Sequence, residues 1–155
     1  MVLTTLQKMY SMLHLKYLYM EYADNKTMQF GIHYMLDGYK ADKDALADKA
    51  GLINILETLP GKVGMHTIST PVVVEVGPNN KKDPGGISGF VLVAESHISF
   101  HTFPGRGFVT IDAYTCNDTI DSDKITQYFT DFFKIKESDV KVIKRGTKYP
   151  VENIQ

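Results

Sequence analysis

The 155-residue chain has no tryptophan and a single cysteine, Cys116. One cysteine cannot close an internal disulfide, and no Cys/His grouping has zinc-ligand spacing, so no metal is expected. Charge of one sign is scarce too, with a formal net charge of -1. That balance argues against a surface built for nucleic acid or an anionic membrane. Long hydrophobic runs are missing, so no segment is expected to cross a bilayer. Residues 1–22 are rich in Leu, Met and Tyr, but Lys8, His14 and Lys16 interrupt them and no small-residue cleavage site follows. They read as an amphipathic helix with a Leu6, Met9, Tyr10, Leu13 and Tyr17 stripe, not as a signal peptide. The expected compartment is the cytoplasm.

What is present is ordinary for a globular domain: 43% hydrophobic and 23% charged residues, enough for one core without staples. Residues 1–155 are therefore read as a single domain. Met28, Phe30, Ile32, Tyr34 and Leu36 alternate with more polar residues, which predicts a strand ended by Asp37-Gly38. Asp42 can cap a helix with a buried stripe of Leu46, Ala50, Ile53 and Leu56 or Leu59, stopped by Pro60-Gly61. The valine-rich residues 67–76 predict a buried strand, and the polar residues 77–86 a surface loop. Two strands, 87–94 and 97–103, meet at Glu95-Ser96, and Pro104-Gly105-Arg106-Gly107 reverses the chain into a strand over 108–116. Ile125, Tyr128, Phe129 and Phe132 mark a further helix, Val140 and Val142 a short last strand, and the tail after Pro150 reads as loose. The order gives an α+β fold, a two-layer sandwich with helices on one face of a mainly antiparallel sheet.

Chemistry concentrates in Glu95-Ser96-His97-Ile98-Ser99-Phe100-His101-Thr102-Phe103-Pro104. As a strand it would put His97, Ser99 and His101 on one face and Ile98, Phe100 and Thr102 on the other. If Pro104 to Gly107 makes a hairpin, Phe103 faces Phe108 and Ser96 lies opposite Thr115. Cys116 then comes beside the Glu95–Ser96 bond, and one residue of slip would send it to the other face.

This motif resembles the self-processing segment of the prokaryotic S-adenosylmethionine decarboxylases. Ser88 in Gly86-Ile87-Ser88-Gly89, Asp112 and Cys116 in Asp112-Ala113-Tyr114-Thr115-Cys116, and Arg145-Gly146 fit the same family, so the match spans about residues 28–150. The resemblance implies a proenzyme that cuts itself between Glu95 and Ser96 into a β chain, 1–95, and an α chain, 96–155. Ser96 Oγ would attack the Glu95 carbonyl to give an ester, and elimination and hydrolysis would leave a pyruvoyl group at residue 96. His101 would be the processing base, Ser88 would help stabilise the oxyanion, and Cys116 would return a proton during turnover. The pyruvoyl carbonyl would form a Schiff base with an amino-acid-type substrate and take up the electrons released with carbon dioxide, the work usually given to pyridoxal phosphate. Phe103 stands where a ring could lie against the substrate. A homodimer of processed protomers, with sites near the subunit boundary, is also implied.

Singly, each residue has a plain reading. A lone cysteine packs as a small hydrophobe, strand histidines satisfy hydrogen bonds, and Phe103 suits a core. His14, His33 and His66 read as structural or exposed. Jointly, the spacing of Ser88, Glu95-Ser96, His101 and Cys116 points to catalysis. Two departures concern the substrate: the family's glutamate after the proline, which holds the ribose hydroxyls, is Gly105 here, and glycine cannot accept those bonds. Where some members carry an aromatic that could stack on adenine, this chain has Lys81-Lys82-Asp83-Pro84. Two substrate readings therefore stand: S-adenosylmethionine, giving the aminopropyl donor for spermidine, and ornithine or arginine on the same scaffold. A non-catalytic partner that activates a true decarboxylase is a third reading, disfavoured by the full reacting set.

Overall fold

The computed structural model describes residues 27–152. The predicted amphipathic helix over 1–22 lies outside them. The elements run β1 (Thr27–Met28), β2 (Gly31–Tyr39), α1 (Lys43–Ala47), α2 (Lys49–Lys62), β3 (Val72–Val76), β4 (Gly86–Val93), β5 (Ser96–Phe103), a 3-10 turn (Pro104–Arg106), β6 (Phe108–Thr115), α3 (Ser122–Phe133), β7 (Glu137–Arg145) and β8 (Tyr149–Pro150). They fall into two compact units. The small one holds β1 paired antiparallel with β8, where Phe30 packs on Tyr149 at a centroid distance of 4.6 Å. The large one, Gly31–Lys144, carries the six-stranded sheet and the helices.

That sheet has the order β3-β4-β5-β6-β2-β7. Its inner strands alternate strictly, so Tyr34, Leu36, Val91, Ile98, Phe100 and Ile111 all turn to one face and are buried. Leu46, Leu52, Ile55, Leu56, Ile125, Phe129 and Phe133 from the helices close over them in one core. Burying each such side chain contributes roughly 1.5–3 kcal/mol. The α+β two-layer sandwich holds, with the helices on one face of an antiparallel sheet. Among the described residues no helix is long and apolar enough to cross a membrane.

Several elements differ from expectation for local reasons. The first long strand runs past Asp37-Gly38 to Tyr39, because Gly38 serves close packing instead of a turn: a Cβ there would meet Ile135 Cδ1 at 2.6 Å. Asp42 does cap a helix, accepting from the Ala45 N–H at 3.0 Å, but Asp48 starts a second one by accepting from the Gly51 N–H. The restart shifts the buried stripe to Leu52, Ile55, Leu56 and Leu59, leaving Ala50 exposed and Ile53 half-buried. Pro60 and Gly61 sit inside α2, which ends at Lys62; in the last turn a proline removes only one ladder bond. The valine strand is an exposed sheet edge, where only Val73 packs on the core. The short strand expected at Val140 and Val142 is β7, nine residues long and exposed throughout, and the brief β8 follows it.

Candidate active site

The register expected from the hairpin is the one observed: Phe103 pairs with Phe108, and Ser96 with Thr115. A two-residue turn, Ala94-Glu95, joins β4 to β5 by way of the Val93–Ser96 pair. Cys116 follows β6 directly, and its backbone N–H donates to the carbonyl oxygen of Glu95 at 2.9 Å. That carbonyl belongs to the bond expected to be cleaved, and Cys116 is free and exposed.

The turn is held from the other side as well. Residues 66–69 extend the sheet edge along β4, with the Ala94 N–H donating to the His66 carbonyl at 2.8 Å and Thr67 bridging Val93. His66 then grips the Glu95 side chain twice. Its backbone N–H donates to Oε2 at 3.0 Å, and its Nδ1 lies 2.6 Å from Oε1. The imidazole bond first, and the N–H after it, hold the Glu95 carboxyl below the usual carboxylate range. Glu95 is thus fixed by its side chain and by its carbonyl, from different strands.

Ser96 itself sits at φ +155°. Outside glycine this part of the map is nearly empty, and holding a side chain there costs on the order of 1–3 kcal/mol. The strain lies at the residue whose N-terminal peptide bond is the candidate scissile bond. Ser96 Oγ is 3.3 Å from His97 Nδ1. The residues therefore suit an origin for a pyruvoyl group: a strained serine, a carbonyl with a donor already on its oxygen, and a thiol at the same turn.

Ser88 and His101 form a second centre. They pair across β4 and β5, with Oγ and Nδ1 2.8 Å apart. His101 is five residues along the strand from Ser96, about 16 Å at the usual rise, and on the open face of the sheet. Phe103 lies farther along the same face, stacked on Phe108 at 5.7 Å, which stacks in turn on Tyr39 at 5.3 Å. The chain brings Glu95, Ser96 and Cys116 together, and Ser88 with His101, but does not join the two groups.

Between them the open face is apolar along one side. Val72, Val74, Phe90 and Leu92 are each 42–49% exposed and form the wall leading to Ser88 and His101. Asp112 Oδ1 lies 2.9 Å from His33 Nε2 on the neighbouring strand. Gly105 has open space around it, and neighbouring Arg106 reaches the Lys81 carbonyl at 3.3 Å. Among the described residues no group of acidic, histidine and cysteine side chains could hold a metal.

Sequence reasoning gave His66 and His97 no role. His97 could have been found from its place next to Ser96. His66 could not, because only the pairing of residues 66–69 with β4 brings it to Glu95.

Comparison with known proteins agrees with this geometry. A family model described as S-adenosylmethionine decarboxylase matches residues 32–146. An S-adenosylmethionine decarboxylase proenzyme from Pyrococcus furiosus is 37% identical over 117 residues, covering 75% of this chain and 78% of that one. One from Thermococcus onnurineus is 38% identical over 118 residues, covering 75% and 77%. The crystal structure of the adenosylmethionine decarboxylase from Aquifex aeolicus superposes with a TM-score of 0.63 at 29% identity, over 84% of this chain and 98% of that one. With the motif, the fold and the relatives in agreement, the chain belongs to the S-adenosylmethionine decarboxylase family.

Proposed function

We propose that this single domain is the proenzyme of a pyruvoyl-dependent S-adenosylmethionine decarboxylase acting in the cytoplasm in polyamine synthesis. Its relatives bear that enzyme's name. The observation that carries the reading is the Cys116 N–H on the Glu95 carbonyl, which puts an oxyanion donor and a thiol at one peptide bond.

In processing, Ser96 Oγ attacks the Glu95 carbonyl carbon. The oxyanion that forms stays on the Cys116 N–H, and strain at Ser96 is released as the peptide nitrogen leaves. A base then removes the Cα proton of residue 96 and the Glu95 carboxylate departs as a new chain end, leaving dehydroalanine. Its imine tautomer takes up one water and loses ammonia, so that residue 96 ends as a pyruvoyl group. Bound there, that group supplies a carbonyl that joins the substrate amine and accepts the electrons left by carbon dioxide. The Cys116 side chain delivers a proton to the substrate carbon.

His101 is the base for the elimination and Ser88 its hydrogen-bonded partner, reaching the Ser96 of a second copy. Two features support a homodimer built this way. About 16 Å of strand separates His101 from Ser96 in one chain. The apolar wall of Val72, Val74, Phe90 and Leu92 beside Ser88 and His101 needs cover. Phe103, on the same face, would meet substrate from the partner side.

Denaturing electrophoresis tests the cleavage: wild type gives two fragments of roughly 10 and 7 kDa, from the lengths either side of Ser96, and Ser96→Ala gives one. Release of labelled carbon dioxide from S-adenosylmethionine, compared with ornithine and arginine, tests the substrate. Release from ornithine or arginine alone would replace S-adenosylmethionine in this reading.

A further inference from the structure

The acyl shift needs a base before it needs anything else, since a serine hydroxyl is a weak nucleophile at its free pKa. Neither Ser88 nor His101 in the same chain can reach Ser96 Oγ over about 16 Å. His66 Nδ1 is engaged with the Glu95 carboxylate, and His33 Nε2 with Asp112. Within one chain that leaves His97, whose Nδ1 is 3.3 Å from Ser96 Oγ, while the His101 of a second copy is already assigned to the elimination.

Neighbouring residues on a regular strand point to opposite faces and do not meet. Ser96 and His97 meet because β5 starts irregularly, with Ser96 at φ +155°. The contact is long for a hydrogen bond, as such contacts commonly are before the reacting geometry closes. The imidazole is steadied from both sides. Its cross-strand neighbours are Leu92 on β4 and Tyr114 on β6, the latter with a ring centroid 6.1 Å away.

We propose that His97 is the general base of the first processing step, distinct from His101, which serves the second. This inference rests on the self-processing reading above. His97 Nδ1, with its ring proton on Nε2, takes the hydroxyl proton as Ser96 Oγ bonds to the Glu95 carbonyl carbon. The carbonyl electron pair moves onto the oxygen held by Cys116 N–H. On collapse the carbon–nitrogen bond breaks, its pair stays on the Ser96 nitrogen, and the proton on Nδ1 passes to that nitrogen. An ester and an amine result, no oxidant or reductant is consumed, and His97 ends as it began.

The test uses the full-length proenzyme and hydroxylamine, which cuts an ester but leaves a peptide bond intact. His101→Ala should accumulate the ester, so hydroxylamine should release two fragments. His97→Ala should stay uncut and yield none, with formation of the ester slowed at least ~100-fold, the range of a lost general base. Added imidazole should restore its cleavage, which it could not do for a misfolded chain. Wild-type cleavage by His97→Ala, ester accumulation in His97→Ala, or a folded His97→Ala chain that imidazole does not rescue would each overturn the proposal. If it fails to fold, His97→Gln takes its place in the hydroxylamine assay, judged by the same two outcomes. Failure of wild type itself to cut would instead sink the self-processing reading.

Discussion

The backbone N–H of Cys116 is bonded to the carbonyl oxygen of Glu95, so one residue offers two groups to the site, and they separate by chemistry. In the proposed mechanism the amide serves cleavage of the chain, and the thiol serves turnover. Cys116→Ser keeps the amide and loses the thiol. Self-cleavage should therefore stay within about threefold of wild type, while decarboxylation per cleaved chain falls by roughly 100-fold, the usual size of a lost proton donor. Densitometry of the fragments and carbon dioxide release from the same preparation measure both. Equal loss of the two activities would mean that the amide and thiol do not divide the work.

That relationship was largely legible in the sequence. A tight reversal at Pro104 to Gly107 pins the register, and twenty residues between Ser96 and Cys116 then close up by simple counting. Periodicity also found Ile32, Tyr34 and Leu36 in β2 and Ile125 and Phe129 in α3, because alternation and helical spacing record burial directly. It overreached at Met28 and Phe30, which are exposed before β2 begins, and it named the half-buried Phe132 in place of the buried Phe133. It misread residues 67–76: a valine run reads the same on a buried strand and on an edge awaiting cover. The helix break at Asp48 was hidden because a cap in mid-pattern looks like one more polar residue on a long helix. His66 was invisible for a different reason. Its role depends on a partner 29 residues away, across an edge joined by a single isolated bridge with no periodicity.

The grip of His66 on Glu95 should appear in the pH dependence of stability. The folded carboxyl lies below its unfolded value, so its stabilisation is complete above the unfolded pKa, about 4.3, and is lost as pH falls through the folded value. In an uncut Ser96→Ala background, Glu95→Gln should lower the thermal midpoint at pH 7. The gap should close as pH is taken towards 3. A gap that is constant over that window would show that the carboxylate contributes nothing through its charge.

Gly38 and Gly105 test the difference between a glycine that permits close packing and one with room to spare. A methyl at Gly38 would run into Ile135 Cδ1 at 2.6 Å and Val109 Cγ1 at 2.9 Å. Gly38→Ala should cost about 1–3 kcal/mol by overpacking. Nothing lies within 4 Å of the Cβ position at Gly105, so Gly105→Ala should change stability by less than about 0.5 kcal/mol. Urea denaturation of the two uncut variants measures both. A Cβ at Gly105 meets nothing, and Gly105→Glu should lower KM for S-adenosylmethionine if ribose contacts are what the glycine forfeits.

The separation of His101 from Ser96 makes its own demand on the assembly. If the pair acts within one chain, a protein carrying Ser96→Ala and another carrying His101→Ala can never repair each other, since each lacks one member. If His101 reaches across to a second copy, a mixed dimer has one site missing both groups and one site intact. In the intact site the His101→Ala chain supplies Ser96, and the Ser96→Ala chain supplies His101. Co-expression of the two variants should then cut a fraction of the His101→Ala chains, read on a denaturing gel with one chain tagged. The Ser96→Ala chain should stay whole throughout. Val74→Asp, placed in both chains on the apolar wall next to Ser88, should abolish the repair by desolvating a charge at the interface, and sedimentation should show monomers. Without any repair in the co-expressed pair, the base for elimination must come from the same chain. The strand would then have to bend far enough to carry His101 to the turn.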